Sequence, residues 1–107
     1  MPLKHARRPY PIALPVTYLA KSSADDVLEG QGETISVSRA NVLFRSNEVL
    51  VLGQKIELRI EWPVLLDNVV PLQVRIKGSI ADVNGSQALV RVHGDYEFMT
   101  RARARAA

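Results

Sequence analysis

The chain has 107 residues, 47% of them apolar and 23% charged, with a formal net charge of +3. That is the size and balance of one ordinary globular domain. The lack of cysteine excludes disulfide frameworks, cysteine zinc sites and thiol nucleophiles and fits a reducing cytoplasm, and no apolar run approaches the roughly 20 residues that span a bilayer.

The charge is unevenly placed. Lys4, Arg7 and Arg8 in the first eleven residues, and Arg101, Arg103 and Arg105 in the last seven, have no acid beside them. They leave eight basic and eleven acidic side chains between them. A mildly acidic body with basic ends can meet phosphate, acidic lipid headgroups or acidic protein surfaces. The N-terminal basic residues are not followed by an apolar stretch of signal-peptide type.

In chain order, the apolar residues recur with period two, the mark of half-buried strands. Ile12, Leu14, Val16 and Tyr18 form the first set, and Pro15 within it indicates an edge or a bulge. Lys21 to Gly32 is polar and acidic and reads as a loop. Ile35 and Val37, then Val42 and Phe44, form the next strands. Val49-Leu50-Val51-Leu52 reads as a packed connection. Ile56, Leu58 and Ile60 form a strand that Trp62-Pro63 should end, because proline cannot continue a ladder. After a turn at Leu66-Asp67-Asn68 come Leu72, Val74 and Ile76. Asn84-Gly85 signals a type I′ hairpin into Ala88, Val90 and Val92. Asp95 can cap a short helix through Ala102, Ala104 and Ala106. Six short strands with regular turn signals suggest a barrel or a two-layer sandwich. Its core should hold Ile12, Leu14, Val16, Ile35, Val37, Val42, Phe44, Ile56, Leu58, Ile60, Leu72, Val74, Ile76, Val90 and Val92.

Catalytic patterns are thin, so no enzyme, metal site or cofactor is expected. His5 and His93 have no metal-ligand spacing. Asp25-Asp26 lacks a glycine-framed calcium pattern. Gly30-Gln31-Gly32 is too short to cradle a phosphate. No serine-histidine-acid spacing stands out, and Trp62 reads as packing at a strand end.

Two segments carry a resemblance. Arg7-Arg8-Pro9-Tyr10-Pro11-Ile12-Ala13-Leu14-Pro15-Val16-Thr17-Tyr18 looks like an arginine-rich arm running into an apolar strand. Thr34-Ile35-Ser36-Val37-Ser38-Arg39-Ala40-Asn41-Val42-Leu43-Phe44 looks like a serine motif before a second strand. With the later segment Gly53 to Pro63 and the strands around Val74 and Val90, residues 7 to 98 resemble a PilZ domain, the family of bacterial cyclic-di-GMP receptors. That family has RxxxR in the arm and [D/N]xSxxG in the motif. Here Pro11 stands at the second arginine position, Ser36 at the Asp/Asn position and Asn41 at the glycine position.

The resemblance implies a six-stranded antiparallel PilZ-like β-barrel with a short C-terminal helix or tail. It divides the chain into a flexible basic arm over residues 1–9, the barrel over 10–94 and the helix or basic tail over 95–107. It also implies a cytoplasmic regulatory module that binds cyclic di-GMP through Arg7, Arg8, Ser36, Ser38 and Asn41. Arginine suits that ligand because it forks onto phosphate and guanine edges. Ser36 and Ser38, two residues apart, should share the exterior face. A protein partner is expected downstream. The alternative is a protein-docking adaptor that has lost nucleotide binding. A small nucleic-acid-binding barrel stands last, because the strands lack exposed stacking aromatics.

Overall fold

The computed structural model describes residues 10–21, 26–67 and 69–100. They form one all-antiparallel sheet of seven strands: β1 Tyr10–Pro11, β2 Pro15–Lys21, β3 Val27–Val37, β4 Asn41–Ser46, β5 Lys55–Leu66, β6 Val70–Asn84 and β7 Gln87–Thr100. The strand order is β1-β3-β2-β5-β6-β7-β4, and β3 also pairs with β4. That last pairing joins the two ends of the sheet, so β2 to β7 form a closed circuit of ladders and β1 extends the edge of β3 beyond β2.

Period-two burial organises the interior. Val16, Tyr18 and Ala20, then Val42 and Phe44, Ile56, Leu58 and Ile60, Val74, Ile76 and Ile80, and Ala88 and Val90 all enter one core. Ile12 and Val92 pack against it from the rim, whereas Ile35 and Leu72 are only half-buried. Ile35 departs for a local reason. The register between β3 and β4 shifts between Thr34 and Ser36, and such a bulge reverses which residues face inward. Thr34 is buried in place of Ile35, at 1% exposure.

Thr34 also explains the entry into the sheet. Residues 12–14 lie between β1 and β2, flanked by Pro11 and Pro15, which have no N–H to give a ladder. The Thr34 hydroxyl donates to the Ile12 carbonyl at 2.6 Å and accepts the Leu14 amide at 2.8 Å. It thereby satisfies backbone groups that would otherwise be buried without partners. Pro15 is the first residue of its strand, a position proline tolerates.

The strand boundaries differ from the sequence expectation in several places. Val27–Gly32 is strand, not loop: it pairs with β2 from Lys21 back to Val16. Its glycines look like loop residues, but the sheet needs their lack of a side chain. A Cβ on Gly30 would lie 2.2 Å from the Tyr18 hydroxyl, and one on Gly32 would lie 2.0 Å from the Arg45 carbonyl oxygen. Pro63 does not end β5. The β5–β6 register shifts between Trp62 and Leu65, and this bulge carries the strand past the proline.

The β6–β7 hairpin closes with Asn84 opposite Gln87. Of its two central residues only Gly85, at φ 62°, lies in the left-handed region, which fits type II′ rather than the expected I′. In the expected connection 49–52 only Leu50 is buried.

The expected C-terminal helix is also corrected over Asp95–Thr100. These residues continue β7, and Glu97–Thr100 pair with Leu72–Arg75 of β6. Tyr96 and Phe98 favour a strand, and the long β6 offers a ladder from Glu97 onward, which outweighs a capping aspartate. The sheet therefore extends beyond residue 94, to Thr100, and residues 101–107 lie outside the described residues. No helix among the described residues is long and apolar enough to cross a membrane.

One close approach has a measurable consequence. Gly78 on β6 is buried, and a Cβ there would sit 2.1 Å from the Arg91 carbonyl oxygen and 2.8 Å from Val90 Cγ1. Gly78→Ala must push β6 and β7 apart. It should cost about 2–3 kcal/mol, read as a lower midpoint in urea unfolding.

Candidate functional site

Three of the expected ligand residues, Ser36, Ser38 and Asn41, converge at the corner where β3 turns into β4. Arg7 and Arg8 lie outside the described residues. The corner is a tight four-residue turn. The Ser38 amide donates to the Asn41 carbonyl at 2.8 Å. The Ser38 hydroxyl donates to the same carbonyl and accepts the Asn41 amide, both at 3.1 Å.

Ser38 is therefore buried and committed to holding the turn. Ser36 is half-buried, and its hydroxyl has no hydrogen-bond partner among the described residues. The two serines do not share an exterior face as expected, because β3 ends at Val37 and Ser38 already belongs to the turn. Asn41 opens β4, and its φ is not in the left-handed region. The backbone at this position thus does not require glycine.

The N-terminal strand meets this corner. Tyr10 pairs opposite Val37, and Pro11 opposite Ser36. The register brings the start of the described chain directly beside the first residue of the Ser36–Asn41 segment. It also fixes the point at which the basic arm joins the sheet. Opposite charges at directly paired positions of an antiparallel ladder attract one another.

Three further side chains stand at the corner, two of them from β7, far off in sequence. Arg39 is exposed within the turn itself. Arg91 of β7 is exposed and pairs opposite Asn41. Tyr96 of β7 donates its phenol to the Ser38 carbonyl. Arg39 could have been noticed as the cation inside the motif. Arg91 and Tyr96 could not, since only the β4–β7 and β6–β7 registers bring them here.

Burial raises the pKa of both Tyr96 and Tyr18 above 10.0. Tyr18 is fully buried within the core and donates to Asn47 Oδ1 at 2.8 Å. The folded chain holds these phenolic protons more tightly than the unfolded chain, whose tyrosines titrate near pH 10. Their contribution to stability is complete below about pH 10 and is lost as pH rises through the raised folded values. The melting temperature should fall on that alkaline limb, and Tyr96→Phe should make the fall shallower.

A second concavity, of about 480 Å³, opens on the sheet exterior. Leu19, Val27 and Ile56 line it together with Lys21, Lys55, Lys77 and His93. Glu57 also lines it, but its carboxylate is paired with Arg59 Nε at 2.8 Å. His93 Nε2 lies 3.2 Å from the Ser79 hydroxyl. His93 stands within β7. Among the described residues no cluster of His, Asp and Glu could hold a metal ion. A scan against protein-family models, a search of curated proteins and a search of solved structures found no match for this chain.

Proposed function

We propose that the chain is a cyclic-di-GMP-responsive regulatory module on a six-stranded PilZ-like barrel formed by β2 to β7, acting in a bacterial cytoplasm. The observation that carries this reading is the β1–β3 register. Pro11 opposite Ser36 brings the chain that follows the arginines to the edge of the serine turn, where a ligand would meet both. The Ser36 hydroxyl, without a partner among the described residues, offers a hydrogen bond. Arg39 and Arg91 add positive charge around the turn. Ser38 acts by positioning, since its hydroxyl is spent on Asn41. Arg7 and Arg8 supply charge-assisted forks to phosphate and guanine. Closure of the arm over the nucleotide alters the surface that a protein partner meets.

The test is restoration of the family pattern. Pro11→Arg with Ser36→Asp places opposite charges across the β1–β3 ladder. Asn41→Gly removes a side chain from the turn without changing a backbone that is already extended. The triple variant should bind cyclic di-GMP about tenfold tighter than the parent, an effect of roughly 1.4 kcal/mol, by titration calorimetry. A folded triple variant with no binding would favour the second reading.

That second reading is a PilZ-like docking adaptor without nucleotide. One observation favours it: the strictly matching motif serine, Ser38, has its hydroxyl engaged in the turn.

A further inference from the structure

We infer that the β4–β5 loop and the adjoining β2–β3 end form a docking face for an anionic lipid surface, independent of the nucleotide corner. Val49, Val51 and Leu52 are 80%, 64% and 62% exposed on one short loop. Leu50 between them is buried and anchors the loop in the core. Gln54 braces it: Nε2 donates to the Lys21 carbonyl at 2.8 Å and Oε1 accepts the Val51 amide at 3.1 Å. The same brace ties the loop to the end of β2, where Lys21 pairs with Val27 and Ala20 with Leu28. Val27 and Leu28 are themselves exposed. Five aliphatic side chains are thus held outward at one end of the sheet.

The groove lined by Lys21, Lys55 and Lys77 adjoins this patch, since Val27 belongs to both. None of the three ammonium groups takes part in an ion pair among the described residues. The groove, whose one carboxylate, Glu57, is paired with Arg59, therefore calls for an acidic occupant. The residue types decide which kind. Protein-binding hot spots favour Trp, Tyr and Arg, with Leu and Val under-represented, and lysine is depleted at protein interfaces. Aliphatic side chains beside lysines suit a bilayer boundary, where the aliphatics enter the acyl region and the lysines meet headgroup phosphates.

Sedimentation of the full chain with phosphatidylglycerol vesicles, against phosphatidylcholine vesicles, tests this. The chain should bind the first and not the second, and less as salt rises. Val51→Ser with Leu52→Ser leaves every charge in place, including the basic ends. It should weaken binding about tenfold or more while the melting temperature holds. Lys55→Gln and Lys77→Gln should each weaken it about fivefold. Absence of binding to phosphatidylglycerol overturns the inference and leaves the loop as a protein-docking face. Unchanged binding by the loop variant also overturns it, because the basic ends alone would then account for the attraction. Equal binding to phosphatidylcholine does the same.

Discussion

Phe44→Ala should cost about 3–5 kcal/mol, the range for removing a fully buried aromatic ring. Phe44 is 0% exposed and sits on β4, the strand that joins β3 to β7 and closes the circuit. Its ring meets the Tyr18 ring at a centroid distance of 5.6 Å and an interplanar angle of 53°, a tilted contact that adds to the burial. Its ladder partners are Thr34 on one side and Ala88 on the other. Neither can swing into the space the ring leaves, so the cavity should persist. Guanidinium unfolding would show the loss as a lower midpoint with the slope preserved. A loss below about 1 kcal/mol would mean that the β3–β4–β7 seam is not packed as described.

Replacing Arg7 and Arg8 together by neutral residues should weaken cyclic-di-GMP binding by about 2–5 kcal/mol, while the melting temperature of the free protein barely changes. Charge-assisted hydrogen bonds to a phosphate in a partly desolvated site have that strength when one partner is removed. The two arginines precede Tyr10, whose pairing with Val37 brings the chain to the serine turn. Titration calorimetry of parent and variant reads the first effect, and a thermal scan the second. A large loss of stability would place the arginines in the structural framework instead of the ligand arm. Unchanged affinity would place the ligand elsewhere.

Much of the core was legible because a strand with one buried face writes its burial into the sequence with period two. Val16, Leu58, Ile60, Val74, Ile76 and Val90 follow that rule and are buried. The misreadings fall where a residue's meaning depends on a partner distant in sequence. Gly30 and Gly32 read as loop because glycine usually marks one. Here they make room for the Tyr18 hydroxyl and the Arg45 carbonyl. Pro63 read as a stop because the bulge that carries it depends on how β5 pairs with β6. Asp95 read as a cap because the ladder that claims Glu97 to Thr100 lies about twenty residues upstream.

The candidate corner was legible in part for the same reason. Ser36, Ser38 and Asn41 lie close in sequence, so their shared turn follows from one segment. The commitment of Ser38 to that turn, the end of β3 that sets Ser36 apart from it, and the approach of Arg91 and Tyr96 depend on tertiary pairing. The face formed by Val49, Val51, Leu52, Val27 and Leu28 was hidden for a further reason. An apolar run in a sequence is read as core, and only the closed sheet shows that Leu50 alone goes inside.

Calorimetric titration of the unmodified chain with cyclic di-GMP bears most directly on the proposed role. A regulatory module of this type gives a saturable heat corresponding to about one or two nucleotides per chain, with an affinity that falls as salt rises because phosphate contacts carry it. No heat up to high micromolar nucleotide, from protein that melts cooperatively, would contradict that role and leave the docking adaptor in its place.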